Sequence, residues 1–211
     1  MILFFDTETT GIRKGGFIPR IVQIGALLTD NEGNTLSEFN VLVYPEGFEH
    51  VPVEASNVHG FTTEILKQRG VDLFPALSVF FELFRHADVV VAHNAEYDMD
   101  LIQIEADRVA QWSPYDHEKS AAAGWQEEIQ KANVFCTMLN SRDLIQLPLS
   151  VAQASFFKDK GIDQKYKNPR LSEAYQHYFG KDFENAHDAM ADVRACRDVY
   201  FKLHSLKEDA A

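Results

Sequence analysis

The chain opens on a continuous apolar run, Ile2, Leu3, Phe4 and Phe5, that turns abruptly into Asp6, Thr7 and Glu8. Four consecutive apolar residues suit a strand covered on both faces. If the strand continues through the acids, its period of two places Asp6 and Glu8 on one face and turns Thr7 to the other. Residues 20–45 read as two more extended segments joined at the turn signal "NEGN", which makes the first three strands an antiparallel meander. Residues 53–70 read as short helical or loop pieces. "PALSVFFELFRHA" then spaces Leu77, Phe80, Phe81 and Phe84 along one face of an amphipathic helix.

"DVVVAHN" is a second strand that is apolar throughout, and "AEYDMDLIQIEADRVAQW" is the helix expected after it, with Ile102, Ala106 and Val109 inward. Asp98 shares that inner side, whereas Asp100 falls on the outer one. Residues 112–131 break the composition and are read as a surface insertion, in part helical. "NVFCTMLN" reads as a strand, and most of the remaining chain as helix. The last helix carries one apolar stripe through Ala189, Val193, Cys196, Tyr200 and Leu203, with Asp188 as its N-cap. A meander followed by alternating helices and strands predicts one α/β domain over 1–211: a mixed sheet with helices on both faces.

Composition narrows the setting. An apolar fraction of 45% and a charged fraction of 25% are ordinary for a globular protein, and no run is long enough to span a membrane. No basic, apolar leader opens the chain. Cys136 and Cys196 stand far apart without a metal-spaced partner, so a reducing, cytoplasmic setting is expected. The net charge of -12 argues against a broad grip on phosphates, so a polyanion must be met locally. Lys158, Lys160, Lys165, Lys167 and Arg170, against Asp159 and Asp163, form the best local concentration of cations, although such a stretch also suits a solvated loop. Arg13 and Lys14 add two more just after the acidic strand end.

Three acidic places call for one explanation: Asp6 with Glu8, Asp98 after the second apolar strand, and Asp192 in the first turns of the last helix, preceded by His187. If those strands are neighbours and the last helix packs over them, four carboxylates converge, and unpaired they would repel. Two Mg²⁺ ions would bring the cluster near neutrality through the hard oxygen ligands they favour. Such a pair can clamp the attacking and leaving oxygens of a phosphodiester.

"FDTET", "HNAEYD" and "HDAMAD", in that order, make the chain resemble the DEDDh 3'-5' exonucleases, the superfamily of DNA-polymerase proofreading subunits. "NVHGFT", "VFCTM" and "NPRLSEAYQHYFG" look like that family's connecting segments, and 112–131 is the main departure. The resemblance implies an RNase H-like fold and stepwise release of nucleoside 5'-monophosphates from a single-stranded 3' end of DNA or RNA. It also implies two Mg²⁺ ions, replaceable by Mn²⁺. Asp6, Glu8 and Asp192 would hold the ion that activates water, Asp6 and Asp98 the second ion, and His187 would be the general base. Glu54, His59 and Tyr97 would line the pocket of the terminal nucleotide beside the backbone of Thr7, Thr9 and Gly11, though each also suits a loop or packing role. His93, Asn94 and Asp188 are read as turn and cap residues. A DNA polymerase or other tethering protein is an expected partner, and a membrane is not. Without a tether, action should be distributive.

Two other readings compete. "DTETT" partly resembles the D-x-D-x-T of aspartate-nucleophile phosphatases, which would make Asp6 a nucleophile but leave His187 and Asp192 idle. A non-catalytic module of the same fold, binding a strand end or a polymerase, is the other.

Overall fold

A computed structural model describes residues 1–45, 47 and 50–208 of the single domain read over 1–211. In chain order the elements are β1 (Ile2–Thr9), β2 (Ile21–Thr29), β3 (Thr35–Leu42), α1 (Val53–His59), α2 (Thr63–Arg69), α3 (Leu73–Arg85), β4 (Val89–Ala92), α4 (Ala95–Trp112), α5 (Asp116–Lys131), β5 (Val134–Cys136), α6 (Thr137–Ile145), α7 (Val151–Lys160), α8 (Leu171–Phe179) and α9 (Ala189–Glu208). The strands form one sheet in the order β3-β2-β1-β4-β5. β1 pairs antiparallel with β2 and parallel with β4, so the meander and the parallel pair share the first strand. This is the mixed sheet that the hydrophobic pattern predicts.

Both faces are covered, which is why β1 opens on four apolar residues and β2 is apolar apart from Gln23, Gly25 and its terminal Thr29. Leu3, Phe5, Ile24, Ala26, Val90 and Ala92 pack toward α3, α4 and α5. Ile2, Phe4, Leu27 and Val91 pack toward Met190, Val193, Cys196 and Tyr200 of α9. The alternation carries Asp6 and Glu8 to the α9 face and Thr7 to the α4 face. The β2–β3 turn is held by Asp30, whose Oδ1 accepts the N–H groups of Glu32 and Asn34, and Gly33 supplies the left-handed φ of 89°.

One expectation gains detail and one is corrected. The segment 112–131, read as a surface insertion in part helical, is helix α5 from Asp116 onward, and two of its residues, Ala122 and Trp125, are buried. Trp125 stacks on Phe81 at 4.9 Å and 5°, so one face of α5 belongs to the main core. "NVFCTMLN" is strand only through Cys136; Thr137 already begins α6. The cause lies in the neighbour: among the described residues β5 pairs only with β4, in the register Val90↔Val134 to Ala92↔Cys136, and β4 ends at Ala92. With no partner beyond that point, the backbone satisfies its groups by turning helical.

Candidate functional site

The acids gather at the end of β1. Asp98, in the first turn of α4, is buried, and its Oδ1 accepts the Thr7 N–H at 3.2 Å and the Thr7 hydroxyl at 2.6 Å. These two bonds fasten α4 to the strand end and aim Asp98 at the neighbours of Thr7. Asp100 faces outward, where it is ion-paired with Arg13. On the other face the start of α9 lies over the sheet. Gly25, the register partner of Asp6, makes this approach feasible, because a Cβ there would stand 2.8 Å from the Ala189 carbonyl carbon.

His187 precedes α9 in a left-handed conformation, φ 72°, and is exposed. Its backbone N–H points to both Asp192 carboxylate oxygens, at 3.4 and 3.3 Å. Asp188 caps the helix: its Oδ1 accepts the N–H groups of Met190 and Ala191. Glu8, His187 and Asp192 each offer one ligand atom, all within 4.8 Å of one another. Asp6 stands outside that trio but within its electrostatic reach, since burial and the charges of Asp98, Asp192, Glu8 and Asp188 push its carboxyl well above the usual range. Burial and the same neighbours push Glu8 up to about 8. Burial also pushes Asp98 and Asp192 up to about 7, against the hydrogen bonds each accepts.

Carboxylates forced upward by burial and by one another form a site that a divalent cation would relieve, and an oxygen-rich set with one imidazole suits such an ion. The donor chemistry therefore fits the metal that the motifs imply.

Beside the carboxylates, the chain from Thr9 to Gly11 is pinned from three directions. The Thr9 and Tyr97 hydroxyls both donate to the Gly11 carbonyl, at 2.6 and 3.2 Å. His59 meets the Thr9 carbonyl through Nε2 at 3.2 Å, and its Nδ1 accepts the Phe61 N–H. A carbonyl can only accept, so this ring carries its proton on Nε2. Burial pulls the His59 imidazole below its ordinary value, in keeping with a neutral ring. Glu54 lies exposed in the first turn of α1, outside these bonds.

Residues 3–200 match the model of the exonuclease family RNase_T. The chain belongs to this exonuclease family. DNA polymerase III subunit epsilon of Treponema pallidum is 32% identical over 101 residues, covering 48% of this chain and 44% of that protein. A DNA polymerase III subunit epsilon-like protein of Rhodobacter capsulatus is 35% identical over 103 residues, 47% of this chain and 14% of that one. The matches thus span less than half the length of these relatives. E. coli Exonuclease I, solved with a dT13 oligonucleotide, superposes with a TM-score of 0.65 at 22% identity, over 99% of this chain and 42% of that one. The superposition places the sheet and its helices in the RNase H-like fold that the motifs imply.

Two further residues hold the site in place, one of them, Gln23, outside the motifs and the other, His93, opening the second motif. Gln23, 2% exposed and paired in register with Glu8, accepts the Ala189 N–H at 3.0 Å and donates to Asp188 Oδ2 at 3.2 Å and Asn40 Oδ1 at 2.9 Å. It locks the start of α9, and with it His187 and Asp192, to the middle of the sheet. The only sign of it in the sequence is a lone polar residue inside an apolar strand. His93, read as a turn residue, is also a tie. Its Nε2–H donates to the Pro169 carbonyl at 3.0 Å, and its Nδ1 accepts from the Thr137 hydroxyl at 2.9 Å. Burial pushes the His93 imidazole down to about 4, so the ring stays neutral in this pairing.

Proposed function

We propose that this chain is a metal-dependent 3'-5' exonuclease that releases nucleoside 5'-monophosphates from the 3' end of single-stranded DNA or RNA. The observation that carries the reading is the convergence of Glu8, His187 and Asp192 within 4.8 Å, beside an Asp6 repelled by four other carboxylates. Asp6, Glu8 and Asp192 would hold one ion, and Asp6 and Asp98 the other. Two bound Mg²⁺ ions, or Mn²⁺ in their place, would lower the pKa of a water and neutralise charge on the departing oxygen. His187 would take the proton of the attacking water, the role that histidine fills most often in general acid–base catalysis. Asp192, accepting the His187 N–H, sets where that imidazole stands. The pinned Thr9–Gly11 backbone, with Thr7 behind it, forms the shelf for the last nucleotide, and His59 and Tyr97 act by fixing it. Glu54 would reach the same nucleotide from α1.

A role beside a polymerase follows from the likeness to epsilon subunits, and the free thiols Cys136 and Cys196 favour a reducing, cytoplasmic setting. No helix among the described residues is long and apolar enough to cross a membrane. The test is a 5'-labelled single strand incubated with the protein in Mg²⁺ and then in chelator. A ladder of shortened strands is expected only with metal. Asp192→Ala should nearly abolish it, and His187→Ala should slow it by about 10² to 10⁴-fold. Full activity in both variants would overturn the assignment, and tight binding without shortening would mark a non-catalytic module.

A further inference from the structure

We propose that α7 and the basic segment after it form a track for the single strand behind its 3' end, gripping phosphates and bases a few nucleotides from the catalytic carboxylates. The proposal takes its substrate class from the exonuclease reading.

The first observation is a helix that buries none of its own residues. No residue of α7 is buried; Val151 is 90% and Phe156 54% exposed. Its ends are well made, with Ser150 and Gln153 forming a capping box and Gly161 closing the C-terminus in the left-handed region. Caps alone leave a ten-residue helix marginal, because helices of this length draw their stability from a packed face. α7 has the form of an element whose packing partner is another molecule.

The second observation is the chemistry it presents. Phe156 and Phe157 lie side by side, ring centroids 5.8 Å apart, just before Lys158 and Lys160. Lys165 and Arg170 are exposed further on, while Lys167 is ion-paired with Glu173 at 2.6 Å. Within 158–170 five cations face Asp159 and Asp163, in a chain whose net charge is -12. An exposed Phe156 and a half-buried Phe157 directly before two lysines suit single-stranded nucleic acid, which offers a polyanionic backbone and stackable bases.

The third observation is position. Segment 163–170 is anchored by the Lys167 N–H to the Leu147 carbonyl at 3.0 Å and by the His93 bond to Pro169. His93 follows β4, the parallel neighbour of β1, and its partner Thr137 touches Cys196 of α9 at 3.5 Å. Pro169 and Arg170 therefore sit on the α9 face at the catalytic end, on the side of Asp6 opposite Gln23 and Asp188. A strand whose terminus rests at Asp6 can leave across Arg170 toward Lys165 and α7.

The test measures binding without turnover. Fluorescence anisotropy of 5'-labelled oligothymidylates of about 20 and about 4 nucleotides is read against the whole protein in chelator, over a salt series. Lys158→Ala/Lys160→Ala/Lys165→Ala should weaken binding of the long strand about tenfold or more and flatten its log–log salt slope by about 2. Phe156→Ala should weaken it about fivefold with the slope unchanged. Turnover of the short strand in Mg²⁺ should be unaffected in both, because it ends before the track. Wild-type binding and slope in both variants would overturn the proposal and mark α7 as a protein-docking face. Wild-type protein that binds long strands through these residues but never shortens them would leave the track standing and overturn the exonuclease reading.

Discussion

Replacing Asp98 with Asn tests whether the carboxylates are held against their own repulsion. Asn keeps an oxygen to accept the two Thr7 bonds and removes the charge. Burial is the main reason Asp98 is pushed up from 3.8 to about 7. At about 1.4 kcal/mol per pKa unit, that rise sets a ceiling of about 4 kcal/mol on the cost of keeping Asp98 ionised in the folded chain. Asp192 shares part of the repulsion, so we take half, about 2 kcal/mol, which is about 4–8 °C in Tm for a chain of this size. A carboxyl raised in the folded state contributes stability below its unfolded value and loses it as pH rises through its folded value. Metal-free wild-type protein should therefore lose stability between about pH 4 and pH 8, and Asp98→Asn should lose less. The assay is thermal melting by circular dichroism in chelator at both ends of that range. The variant should melt higher at the alkaline end and level with wild type at the acid end, while showing almost no turnover in Mg²⁺. A variant that melts lower than wild type at the alkaline end, or by the same margin at both ends, would refute the reasoning.

Further outcomes concern neighbouring residues. Gln23→Met keeps the volume and removes the bonds to Ala189, Asp188 and Asn40; kcat should fall about tenfold with KM little changed, since the helix start drifts from the reacting geometry. Steady-state kinetics on a short oligomer check this, and a loss confined to KM would contradict it. Trp125→Ala should destabilise by about 3–5 kcal/mol in urea unfolding, because it empties the stack on Phe81, and kcat of the remaining folded protein should hold. Mg²⁺ should bind more tightly as pH rises between about 6 and 8 and should release protons on binding, since Glu8 sits at about 8 and Asp192 at about 7 before the ion arrives. Calorimetry in two buffers of different ionisation heat counts those protons, and a count of zero would contradict the carboxylate assignment.

The legible parts of the fold are those where one face or one run decides the matter. β1, β2 and β4 are covered on both sides, so their apolar runs can be read without knowing their neighbours. The stripe of α9 and the inward turn of Asp98 come from helical spacing alone, and Ala189, Val193, Cys196, Tyr200 and Leu203 are all buried. α5 escapes such a reading because its buried contacts rest on Ala122 and Trp125, too few for a clear period, and because Phe81 lies in another helix. The end of β5 depends on where β4 stops, which is information from another segment. The same limit governs the site. D-x-E at a strand end shows itself locally, whereas Gln23 gains its meaning from Ala189, 166 residues away.

Sequence and structure meet most informatively where ordinary packing rules are broken. Buried Glu105 is balanced by Arg20, but at the end of β1 the chain holds Asp6, Glu8, Asp98 and Asp192 together and, among the described residues, brings no Lys or Arg into the group. Cationic side chains were available: Arg13 lies a few residues from Glu8, yet it pairs outward with Asp100, and Arg20 pairs with buried Glu105. An internal ion pair would have quieted the repulsion and filled the place a cation needs. The fold instead supports the cluster from behind with neutral donors, Thr7 to Asp98 and Gln23 to Asp188, which fix the carboxylates without neutralising them. Charge left unbalanced and position fully specified are together what the proposed divalent ions would require of these four carboxylates.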